Sequence, residues 1–119
     1  MNLLVFAIAI LHVYFLILEI FLWTHPFGLK VFRNTLEFAK ASKALASNQG
    51  LYNGFLAAGL IWSVVIPNQM FAHDLKLFFL SCVSVAGVFG AITVSKKIFY
   101  IQAMPAIIGL AWLLLFSSI

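Results

Sequence analysis

Residues 48–66 read NQGLYNGFLAAGLIWSVVI. Two asparagines, a glutamine, a tyrosine and two glycines form a polar head that opens directly into an apolar run. Either the head is a loop that precedes a membrane helix, or it is the polar half of a site inside the membrane. The rest of the chain supplies the frame in which that question can be answered.

The chain has 119 residues, is 65% hydrophobic and only 8% charged, and has a mean hydropathy of +1.14. A soluble domain of this size has too much surface for its volume to hide so much apolar area. The composition therefore reads as an integral membrane protein. The net charge of +4 bears on topology, since there is too little soluble chain for a groove that tracks nucleic-acid phosphates. The single cysteine, Cys82, excludes an intrachain disulfide and reads as a small buried hydrophobe. No Cys/His spacing suits a metal, and only His12 lies well inside an apolar run, so neither metal, haem nor any other cofactor is expected. The first apolar stretch lacks a basic leader and is longer than a signal-peptide core, which favours its retention as a span.

Four segments are long enough to cross a hydrocarbon core of about 30 Å: 2–23, 48–66, 71–95 and 98–116. Turn residues or charge interrupt the pattern at Thr24-His25-Pro26, Pro67-Asn68 and Ser95-Lys96-Lys97. Backbone polar groups in lipid must be satisfied within the segment, so each span is expected to be helical. The fold class is all-α, a single four-helix membrane bundle over residues 1–119 without detectable repeats. Lys30, Arg33, Lys40, Lys43, Lys96 and Lys97 flank the spans on one side and only Lys76 lies on the other. The positive-inside rule then places loops 24–47 and 95–98 in the cytoplasm and both termini outside, in a multi-pass protein of the cytoplasmic membrane. Within the first loop, Lys30, Arg33, Glu37 and Lys40 form one stripe on a helical wheel and Val31, Phe32, Phe38, Ala39 and Leu45 the opposite one. The expectation is an amphipathic helix over 29–46 in the headgroup layer, attracted to anionic lipid or serving as a docking face.

Glu19 and His12 share a face of the first span, seven residues apart, at about 10 Å along the axis. Something must bridge them: a side chain of another helix, water or a ligand. Glu19 lies about one turn short of the cytoplasmic end, and the second span re-enters there with Gln49, Tyr52 and Asn53 in its first turns. Gln102 lies about one turn into the fourth span, with Thr93 and Ser95 near that level. Antiparallel helices bring these groups to one depth, with His12 deeper. An intramembrane carboxylate costs about 2–3 kcal/mol at a helix centre and less near an interface, and amide or phenol donors reduce that cost by hydrogen bonding. Glu19 then reads as a ligand-binding or proton-accepting group, as a tie between helices, or as a side chain that reaches the cytoplasmic surface. Gly50, Gly54 and Ala58 recur every fourth residue, and Ala86, Gly87, Gly90 and Ala91 form a second small-residue ridge. Both permit close helix packing within one chain or in a homodimer.

Three stretches carry a family resemblance: His12 with Glu19, FLWTHPFGLKVF at 21–32, and NQGLYNGFLAAGLIW at 48–62. Together they resemble a family of small bacterial membrane proteins catalogued only as a domain of unknown function. The resemblance runs over all four spans and implies a four-helix integral membrane protein with these positions as its signature. It implies no activity.

Three functions fit these residues. The first is binding or transport of a small polar or amphipathic molecule, with Glu19 as charge partner or proton acceptor. Gln49, Tyr52 and Asn53 would be hydrogen-bond donors and His12 a deeper relay, and transport would call for a dimer. The second is an enzyme on a lipid-soluble substrate with Glu19 or His12 as general acid or base. The third is a non-catalytic subunit whose polar cluster fixes helix register. Membrane lipids are the expected surroundings, and nucleic acid is not an expected partner.

Overall fold

The computed structural model describes residues 1–116, and these fold into helices, with no strand among them. The elements are α1 (Asn2–Phe21), α2 (Pro26–Phe32), α3 (Leu36–Ala41), α4 (Lys43–Val65), α5 (Gln69–Thr93) and α6 (Lys96–Phe116). Residues 117–119, placed on the outer side by the charge argument, lie outside the described residues.

Three helices, α1, α5 and α6, are long and apolar enough to cross a membrane. Helix α4 is as long as they are, at 23 residues, but is not one of the three. Lys43, Asn48, Gln49 and Asn53 dilute its hydropathy. The helix also begins at Lys43, five residues ahead of the expected start, so NQGLYNG is helix interior and not an entrance.

Local signals account for the boundaries. After Pro67, the Asn68 side chain accepts from the backbone N–H groups of Met70 and Phe71 and opens α5. Ser95 does the same for α6 through the Lys97 N–H. Helix α1 ends in a π-helical turn over Ile17–Phe21. Helix α6 contains a second, Phe99–Ala103, and here the cause is legible in the chain. The Met104 N–H closes on the Phe99 carbonyl, five residues back. Pro105 has no N–H to offer the turn, and its ring would strike the carbonyl four residues before it in a regular helix.

The expected single amphipathic helix over 29–46 is instead divided among α2, α3 and the first turn of α4. Arg33 adopts left-handed backbone angles (φ 55, ψ 41). Its N–H returns to the Lys30 carbonyl, and the Asn34 N–H to that of Leu29 at 3.0 Å. Thr35 Oγ1 then accepts from the Phe38 N–H and starts a new helix. The stripe of Lys30, Arg33, Glu37 and Lys40 is therefore divided between two elements.

Contacts group the chain into two compact units. The first comprises residues 1–9 and 56–116 of the described chain. Its core draws on four helices: Val5, Ile8 and Ala9 of α1, Leu60 of α4, Leu80 and Val83 of α5, and Ala106 of α6. A Cβ added at Gly87 would stand 2.6 Å from the Ala103 backbone nitrogen, so α5 approaches the widened turn of α6 as closely as backbones allow. The second unit, 10–55, holds the rest of α1, α2, α3 and the first half of α4.

Candidate functional site

In the second unit α1 and α4 run antiparallel and are joined at successive levels. At the level of the 24–47 loop the Trp23 indole N–H donates to Ser42 Oγ at 3.1 Å, and Ser42 in turn donates to the Phe38 carbonyl. The Trp23 ring packs at a tilt against Phe32, with centroids 4.9 Å apart. Pro26 occupies the first position of α2, where a missing N–H costs nothing, and Gly28 leaves room for the Leu22 carbonyl where no Cβ would fit. These contacts give FLWTHPFG its structural sense: the motif turns the chain back on the end of α1.

One level deeper, Asn53 Nδ2 donates to Glu19 Oε1 at 2.5 Å. Asn53 is buried, whereas Glu19 is half-buried and keeps part of its surface open. Gly50 makes the approach feasible. A Cβ there would lie 2.7 Å from Ile20 Cγ1 and 3.1 Å from Glu19 Cβ, and one at Gly54 would lie 2.8 Å from Leu16 Cδ1. Glu19 sits within the π-helical turn Ile17–Phe21, and such turns occur frequently at functional sites. Gln102 of the first unit also lies in a π-helical turn, Phe99–Ala103.

The remaining residues named from the sequence take varied places. His12 is wholly buried and meets Phe15 edge to face at 5.4 Å. Gln49 and Tyr52 are exposed, and the Tyr52 ring lies beside Phe55. Gln102 is half-buried. Gly50 and Gly87 are buried and Gly54 and Gly90 half-buried, while Ala58 faces outward and Ala57 inward. A helix turns 3.6 residues per repeat, so a four-residue series drifts off the face on which it starts. Ala46, Gly50, Asn53 and Ala57, each buried, keep closer to one face.

Two polar features of the first unit were not expected from the sequence, where Lys76 entered only as the one basic residue on the outer side. Lys76 is 7% exposed, and its ammonium donates to the Ser63 carbonyl at 2.9 Å. That carbonyl belongs to the last turn of α4, where carbonyls lack intrahelical donors and a cation is favourable. A charge two turns into a span, with a helix end opposite, was the available signal. Ser84 Oγ is buried without a hydrogen-bond partner. Among the described residues, no three His, Cys, Asp or Glu side chains converge where a metal ion could sit.

The fold and site define an all-helical protein with three long apolar helices, one of which, α1, carries a carboxylate held by an amide of α4. The chain belongs to the family described as "Protein of unknown function (DUF1304)", whose model matches residues 6–114. No curated protein and no solved structure matches it.

Proposed function

We propose that this is an integral membrane protein in which α1, α4, α5 and α6 all cross the bilayer. The α2–α3 segment and the α5–α6 turn would face the cytoplasm. Glu19 and Asn53 would form a polar site in the cytoplasmic half that binds a small polar or amphipathic molecule. The observation that carries the reading is the state of Glu19. It is a half-buried carboxylate in a largely apolar helix, fixed by a neutral amide, with hydrogen-bonding capacity left for a ligand. Asn53 positions the carboxylate, and Gly50 lets the two helices come near enough for it to do so.

Native mass spectrometry of the purified protein tests this directly. A retained small molecule that disappears in Glu19→Gln, with the protein still folded, is the expected result. A wild-type protein that carries only bulk phospholipid, identical to that on Glu19→Gln, overturns it. The buried Asn53 and the glycine at the point of closest approach favour a second reading, in which the pair only fixes the register of α1 against α4. Under that reading Asn53→Leu lowers the melting temperature and leaves any cellular phenotype intact.

A further inference from the structure

Residues 24–47 carry Lys30, Arg33, Lys40 and Lys43 against a single acidic side chain, Glu37. All four basic residues are exposed. Large apolar side chains are interspersed with them and stand equally free: Phe27 at 53%, Leu36 at 46%, Phe38 at 55% and Leu45 at 75% exposed. A segment facing water would hide such rings and leucines, and a core segment would exclude the cations. A phospholipid interface accepts both, with apolar groups among the upper acyl carbons and basic heads at the phosphates.

The level of the segment is fixed within the same unit. The Trp23–Ser42 hydrogen bond and the tilted Trp23–Phe32 ring contact fasten α2 and α3 to the end of α1. The helix that precedes Trp23 is apolar enough to cross a membrane, and tryptophan is enriched where such helices meet water. Four cations to one anion select a negatively charged surface.

We infer that α2, α3 and the first turn of α4 form a binding surface for the headgroups of anionic phospholipids. Lys30, Arg33, Lys40 and Lys43 engage the phosphates, and Phe27, Leu36, Phe38 and Leu45 enter the acyl layer. The left-handed turn at Arg33 and the start of α4 at Lys43 divide the charges among three helices, so the surface contacts several lipids and does not present one stripe to one partner. The inference rests on the membrane reading above, but not on the Glu19 site.

The test uses the chain with Trp62→Phe and Trp112→Phe, so that Trp23 is its one tryptophan and is excited selectively over the tyrosines. It is reconstituted into phosphatidylcholine vesicles containing equal mole fractions of either phosphatidylglycerol or phosphatidylcholine with brominated acyl chains. Brominated phosphatidylglycerol should quench Trp23 more strongly. The excess should correspond to roughly fivefold local enrichment, the factor expected of one fully engaged basic side chain. High salt should reduce the excess in the unaltered segment, which keeps the test independent of any folding defect in a variant. Replacing the four basic residues by Gln should abolish it. Equal quenching by the two lipids overturns the proposal, as does an excess that survives both salt and the fourfold substitution. Efficient Lys–Lys cross-linking of two copies through this segment, without lipid selectivity, would assign the face to a second chain. Absence of quenching by either lipid would instead defeat the membrane reading itself.

Discussion

Asn53 and Glu19 are linked by one hydrogen bond, and truncating either partner has a different consequence. Asn53→Leu leaves a carboxylate in apolar surroundings without its donor, whereas Glu19→Gln keeps an acceptor and removes the charge. A double-mutant cycle on these two positions should give a coupling of about 1 kcal/mol, the scale of interhelical hydrogen bonds in membranes. Unfolding in mixed micelles measures it, and a coupling indistinguishable from zero would remove the tie. Lys76 supplies a second case. Lys76→Met deprives the Ser63 carbonyl of its donor and should lower stability by about 1 kcal/mol, while Lys76→Arg should recover most of it; thermal unfolding followed by circular dichroism distinguishes them. The approach of Glu19 to Asn53 was legible because antiparallel helices of similar length bring equal depths together. The burial of Lys76 was not, because charge counting treats every lysine near a helix end as a surface group. Tyr52 and Gln49 share the depth of Glu19 but point elsewhere, a difference of helix rotation that depth alone cannot resolve.

Among the elements, α4 depends on Gly50 for its seat against α1. Gly50→Val forces a branched side chain onto Ile20 and Glu19 and should cost about 1–3 kcal/mol. It should also abolish the Glu19–Asn53 coupling, so the cycle repeated in that background reads the separation of the helices. In α6 the widened turn depends on Pro105. Pro105→Ala restores a donor and relieves the ring, so amide exchange around residues 101–106 should slow by about tenfold for each 1.4 kcal/mol recovered, measured by hydrogen–deuterium exchange. Pro105 stands in the sequence inside a span that the hydropathy pattern treats as continuous, and nothing in ILEIF announces the π-helical turn around Glu19. The division of the 29–46 helix had a readable half-signal, Thr35 as an N-cap, but a wheel projection assumes continuity and so conceals a left-handed residue.

At the scale of the molecule, the hydrophobic pattern made the long helices legible, because length and apolarity are properties of the chain itself. Helix α4 shows the limit: its amides lower its hydropathy, although one of them, Asn53, is buried against Glu19. The orientation proposed above predicts that Lys40, exposed in α3, resists an impermeant amine reagent added to intact cells and reacts once the membrane is opened. Labelling from outside would reverse the topology.

The two π-helical turns differ in what holds them open, and this has a consequence for length changes in the chain. A π-helical turn contains one residue more than an α-helical turn. Loss of a single codon within Ile17–Phe21, at the exposed Ile17 for instance, can close the turn to an ordinary one while each flank keeps its face. The same loss within Phe99–Ala103 would press the Pro105 ring onto the carbonyl four residues earlier. Single-residue deletions should therefore be absorbed at the end of α1 and rejected in α6, so that of two equally irregular turns only one is open to change in length.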